Sequence, residues 1–220
     1  MKSIYRAILP VMLMVLCLGA CVSRPAEITV KVQPMKVETR FIENLKPGEK
    51  SPLAACEEAL TDWKFGCKTA FDFEIVDKSE LADEFLVNVR IKKATISLDA
   101  PVTVWISSKA SEDTKMHEEA HVLICRRVYG EAKKTALDGA GRVVEKEFQG
   151  GGSTLEAAVK EGLSLASEEI CRYYHMAMVE KINRVSEIFD RLDHDNPDKK
   201  DSELVELAFQ KYQLIKGNKS

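Results

Sequence analysis

The sequence lacks a concentration of charge of either sign. Its 32 Lys and Arg stand against 35 Asp and Glu, for a net charge of −3. No clustered basic surface stands out, so nucleic acid is not an expected partner. Internal repeats and low-complexity tracts are also missing, and a chain of 220 residues can bury a real core as a single domain. No apolar run is long enough to cross a membrane comfortably: Ala7–Ala20 falls short of the roughly 20 residues a span needs. An EF-hand is excluded, because Asp193, Asp195 and Asp198 are wrongly spaced and no glycine holds the sixth position. Histidine is scarce, with four in the chain, so the spacing of any two carries weight.

What is present begins with Lys2 and Arg6, unaccompanied by acid, followed by the apolar run. That is a charged n-region and an h-region. The run ends in Leu18-Gly19-Ala20-Cys21. Small residues before a cysteine resemble the lipobox of bacterial lipoproteins, which implies a signal peptide over residues 1–20 and lipidation of Cys21. Val22 follows where an Asp would resemble an inner-membrane retention signal. The expected location is therefore the bacterial cell envelope, periplasm-facing, at the outer rather than the inner membrane. Loss of Lys2 and Arg6 leaves the mature chain two units more negative than the whole.

Of six cysteines, Cys17 leaves with the signal and Cys21 takes lipid. Cys56, Cys67, Cys125 and Cys171 remain, and an even count in an oxidising compartment favours two disulfides. Three pairings are open. Proximity favours Cys56 with Cys67 and Cys125 with Cys171.

Residues 21–27 read as a tether, and the domain runs over 28–220. From Glu27, Ile28, Val30 and Val32 alternate with polar residues, as on a half-buried strand. Lys46–Pro52 is a turn region, and Leu53–Trp63 suits a short helix. Phe71–Val76, Phe85–Ile96 and Val102–Ile106 read as strands, with Trp63 and Trp105 in the core. From about Ser111 to Gln149 the composition suits helix, with Ser111 as N-cap and Glu112 and Asp113 in the first turn. Gly130, Gly139 and Gly141 argue against one unbroken element, and Gly150-Gly151-Gly152-Ser153 ends it. Thr154 to about Asp193 holds no proline and a single glycine, Gly162, and reads as a long helix. Ser202–Ile215 makes another. Strands followed by helices predict an α+β domain: residues 28–107 mainly an antiparallel sheet, 111–215 mainly helical, with a long antiparallel helical hairpin.

His117-Glu118-Glu119-Ala120-His121 is the segment that carries chemistry. Histidines four apart on a helix share a face and can chelate one Zn²⁺. Glu118, beside the first ligand, is placed to act as general base on a water that zinc activates. The pattern is short and also arises by accident, but here it starts a helix directly after the β-rich Val102–Ile106. In zincin peptidases, which it resembles, an edge strand so placed pairs with extended peptide substrate.

Catalytic zinc usually takes three protein ligands. Beyond the pair, the candidates are His175, His194, Glu161, Glu168 and Asp190. Treating 113–149 and 154–192 as a hairpin reflected about Gly151 sets His117 opposite Val185 and His121 opposite Lys181. His175 and His194 then miss by about 9–14 Å at 1.5 Å per residue. Glu161 falls opposite Gly141, which disfavours it. A Cys125–Cys171 bond moves the centre to Phe148 and sets His121 opposite His175. Asp190 is placed to orient a ligand imidazole. Tyr129, Tyr173 and Tyr174 are oxyanion candidates, though core packing is the more ordinary use.

The segment His117–Tyr212 resembles a family of uncharacterised exported bacterial proteins predicted to be zinc proteases. The family pairs the HExxH motif with a later Tyr/Phe-Asp-x-x-Thr-x-His-Gly segment. Phe189-Asp190-Arg191-Leu192-Asp193-His194-Asp195-Asn196 is the counterpart, without the Thr and the Gly and one residue shorter between Asp190 and His194. The resemblance implies His194 as third ligand, which is preferred here, with His175 the alternative.

Three functions follow. The first is a zinc-dependent envelope metallopeptidase acting on peptide or protein substrates and held to the membrane through Cys21. The second is a non-catalytic envelope lipoprotein of zincin-like fold with a structural or vestigial metal site. The third is a helical binding module in which the motif is accidental.

Overall fold

The computed structural model describes residues 27–54 and 57–217. The expected signal peptide, Cys21 and Cys56 lie outside the described residues. No helix among the described residues is long and apolar enough to cross a membrane.

The chain runs β1 (Glu27–Val32), β2 (Lys36–Phe41), β3 (Ala59–Trp63), β4 (Gly66–Leu81), β5 (Glu84–Asp99), β6 (Pro101–Ile106), α1 (Glu112–Tyr129), α2 (Ala132–Ala140), β7 (Glu147–Gly152), α3 (Leu155–Asp195) and α4 (Asp201–Gly217). The architecture is α+β, as the patterning predicts. β5 is the spine of one sheet. β4 pairs along one edge, while β1 takes Lys93–Leu98 and β7 takes Phe85–Arg90 on the other. A smaller sheet has the order β2-β6-β3, parallel then antiparallel.

Side-chain parity explains how β5 faces the core along its length. Val87, Val89 and Ile91 are buried, and then Ala94, Ile96 and Leu98. The switch from odd to even coincides with a register shift, where Ile91 pairs Phe73 and Lys93 pairs Asp72. Lys92 is the extra residue of a β-bulge, which re-aims the strand without losing the buried face.

α3 follows from its apolar spacing. Ala158, Gly162, Ala166, Ile170, Tyr174, Met178 and Ile182 are buried at intervals of four, a line that winds slowly round a helix of 3.6 residues per turn. Thr154 caps it by accepting from Ala157 N at 3.1 Å. Ser111 caps α1 by accepting from Thr114 N at 3.0 Å, as predicted.

Several expectations need correction. Leu53–Trp63 is not a helix: Ala59–Trp63 is β3, completing the small sheet against β6. Residues 111–149 are not one helical run. α1 ends at Tyr129, α2 at Ala140, and Glu147–Gly152 forms strand β7 on β5. Two of the three glycines there, Gly150 and Gly152, serve close packing as well as interruption. A Cβ on Gly150 would lie 2.0 Å from the Ala158 carbonyl oxygen of α3. β2, with Val37, Thr39 and Phe41 alternating, is an additional strand. β6 is the centre of its sheet, not an edge, so Val102–Ile106 has no free side for a peptide.

The disulfide is also corrected. Cys67 of β4 bonds Cys171 of α3, with Cα atoms 5.6 Å apart, inside the range such a bond requires. Neither proximity pairing forms. Cys56 cannot bond a Cys67 already taken, and Cys125 is free and buried in the core. Burial pushes its thiol up to about 12. Sequence distance misleads here because β4 lies directly on α3, where Thr69 Oγ1 also meets Ser167 Oγ at 2.8 Å.

Candidate metal centre

α1 lies antiparallel to the C-terminal part of α3, and the residues that meet there are polar on both helices. His117 and His121 come from one face of α1. Ser186, Phe189, Asp190 and Asp193 come from one face of α3. Phe189 is fully buried and backs both imidazoles, with ring centroids 5.1 and 5.3 Å from theirs.

Three donor atoms converge in front of it. Nε2 of His117 and Nε2 of His121 are 3.1 Å apart. Asp190 Oδ1 lies 3.0 Å from the His121 nitrogen and 3.5 Å from that of His117. Ligands about 2.1 Å from one tetrahedral ion stand roughly 3.4 Å from each other. The three atoms therefore fit one face of a tetrahedron, and the group can hold a metal ion. These three residues would hold such an ion as protein ligands.

Tautomers make the convergence more telling. His117 Nδ1 is 2.9 Å from Asp193 Oδ2. An ionised carboxylate only accepts, so Nδ1 carries the proton and, in the neutral ring, Nε2 presents its lone pair. His121 Nδ1 is 3.4 Å from Ser186 Oγ, a hydroxyl able to accept in the same way. With both Nδ1 atoms protonated, the two Nε2 atoms and the Asp190 oxygen would all offer lone pairs within one small space, an arrangement that suits a cation. The outer nitrogens are anchored as in metal-ligating histidines, whose ring orientation and basicity depend on such partners.

Glu118 takes a different direction. It is buried, and its Oε2 accepts from Thr61 Oγ1 of β3 at 2.5 Å. It follows His117 in sequence and is not one of the three converging donors. β3 is an edge strand, and the Thr61 contact ties it to the motif.

The third member of the group is Asp190, and neither His194 nor His175 belongs to it. His175 is exposed and makes a tilted ring contact with Tyr174. His194 is exposed one residue past Asp193 and lines a groove of about 770 Å³ with His117, Asp113 and residues 197–202, outside the donor set. The hairpin reflection failed because α2 and β7 intervene between the helices. His121 lies opposite Ser186 and Asp190, several residues from where a simple turn would put it. Glu161 is remote from the site, as reasoned, and accepts from Gly151 N at 2.5 Å. Glu168 is not among the donors. Tyr129 donates to the Gln33 carbonyl at 2.9 Å, Tyr174 is fully buried, and Arg142 stacks on Tyr173, so these tyrosines belong to packing. Sequence reasoning missed Ser186 and Thr61. The only signal for Ser186 was its place, four residues before Asp190 on a helix.

Charge is dense at the groove. Burial raises the Asp201 carboxyl above its usual range. The Asp193 and Asp113 carboxylates push the same way, and His117 opposes them. No protein-family model matches the chain, and no curated protein or solved structure matches it.

Proposed function

We propose that the chain is a zinc-dependent peptidase with His117, His121 and Asp190 as its metal ligands and Glu118 as general base. The observation that carries this reading is the convergence of three donor atoms on the HExxH segment. Two imidazoles and a carboxylate also suit iron(II). Glu118, adjacent to the first ligand, is what favours hydrolysis. Bound zinc supplies Lewis acidity and makes water nucleophilic near neutral pH. The chain's own groups do the rest. Thr61 holds Oε2 of Glu118, which leaves Oε1 to take the proton from the attacking water and return it to the leaving amine. Asp193 and Ser186 hold the imidazoles in register. The envelope location and the anchor at Cys21 belong to the same proposal.

A second reading keeps the metal and drops the chemistry. It is favoured by the burial of Glu118 and its short bond to Thr61, which suit a structural carboxylate. Two measurements separate these. Elemental analysis of the purified full chain is expected to give about one zinc per chain, lost on His117→Ala with His121→Ala. Glu118→Gln is expected to keep the zinc and lose cleavage of a mixed peptide library. Equal cleavage by wild type and Glu118→Gln ends the peptidase reading and leaves the metal site standing.

A further inference from the structure

On the side of α1 away from His117 and His121, β2 forms the outer edge of the small sheet. It pairs only with β6 among the described residues. Lys36 N donates to Ala100 O at 3.3 Å. In a parallel ladder each bonded residue turns both backbone groups to the same neighbour, and alternate residues turn both away. Lys36, Glu38 and Arg40 therefore face β6, and Val37, Thr39 and Phe41 present N–H and C=O outward. Their side chains, with Leu123 of α1, line an open apolar groove of about 560 Å³. Val37 is 38% exposed, Phe41 45% and Leu123 42%.

The strand is complementary to itself. If a second β2 runs antiparallel about a two-fold axis through Thr39, Thr39 opposes Thr39, and Val37 opposes Phe41 at both ends. These are the residues whose backbone groups point outward, so each opposed pair is a hydrogen-bonded one. Glu38 then opposes Arg40 of the other copy, twice, in the closely spaced non-bonded positions where Cα atoms approach to about 4.5 Å. Within one chain Glu38 and Arg40 already bond at 2.8 and 3.0 Å, so the join makes a four-membered charge network. A register one residue away would oppose Glu38 to Thr39 and leave the charges unmatched.

We propose that the edge of β2 is an isologous homodimer interface, in which two copies share a six-stranded sheet β3-β6-β2-β2-β6-β3 and cover the Val37–Phe41 apolar edge. Sedimentation of the purified full chain is expected to show a dimer. Arg40→Glu places like charges opposite each other twice and should weaken association at least about tenfold. The charge swap Glu38→Arg with Arg40→Glu restores complementarity and should restore the dimer. Under mild oxidation Thr39→Cys should cross-link, since opposed Cα atoms at about 5.5 Å lie within disulfide range, whereas Lys36→Cys should not. A chain monomeric up to about 1 mM, a dimer indifferent to both charge variants, or a monomer that instead binds an extended apolar peptide at β2 would each overturn the proposal.

Discussion

His117 is constrained at both of its nitrogens, by Asp193 on one side and by the donor cluster on the other. Asp193 would act on a bound metal only through that ring. Asp193→Asn removes the charge that fixes the tautomer, and metal affinity is expected to fall about 10–100-fold in a chelator competition. Ser186→Ala should cost less, because its contact with His121 is 3.4 Å. Affinity should also fall as the solution is acidified, since protons compete with metal for the imidazoles. An Asp193→Asn chain that binds as tightly as wild type would make Asp193 an ordinary ion-pair partner. At this scale the sequence was half legible. Spacing on one helix identified His117 and His121. Asp190 was visible as an acid beside the site but was given the orienting role that Asp193 fills. Which residue of α3 lies opposite α1 is a long-range fact, fixed by α2, β7 and the docking of β4, and no local pattern encodes it.

Elements were more legible than residues. The cap at Ser111, the proline-free run of α3 and the β-rich run Phe85–Ile96 of β5 all rest on local sequence. β7 was not legible, because Glu147–Gly152 has the composition of a breaker and becomes a strand only when β5 offers an edge and α3 a floor. Gly150 and Gly152 are a packing requirement. At Gly150 a Cβ meets backbone atoms of α3, at 2.0 Å from Ala158 O and 2.5 Å from Gly162 N. At Gly151 it meets only the ends of flexible side chains, the nearest being Glu84 Oε1 at 3.1 Å. Gly150→Ala is therefore expected to destabilise the fold by about 3 kcal/mol or more, and Gly151→Ala by much less. Paired thermal melts check this, and equal losses would mean that α3 moves away freely.

Over the whole molecule, the disulfide joins the strand half to the helix half. Cys67 and Cys171 are 104 residues apart, so the bond restricts a long stretch of the unfolded chain. Replacing both by Ser is expected to cost about 2–5 kcal/mol, read from the midpoint of denaturant unfolding with the slope unchanged. A loss below about 1 kcal/mol would show that packing of β4 on α3 already fixes the junction. The fold class was legible at this scale because strands and helices occupy separate parts of the sequence. The disulfide partner was not, because nothing local reports which helix a strand will touch.

That bond also sets an order in time. A chain is made from its N-terminus, so Cys67 exists for 104 residues of synthesis before its partner does. Cys56 is there before it and Cys125 arrives long before Cys171. The first thiols that Cys67 can meet are thus the wrong ones. A thiolate is required to attack, and once folding buries Cys125 and lifts its thiol to about 12, that competitor is retired. Any early pairing of Cys67 with Cys56 or Cys125 would have to be reshuffled before Cys171 can take its place.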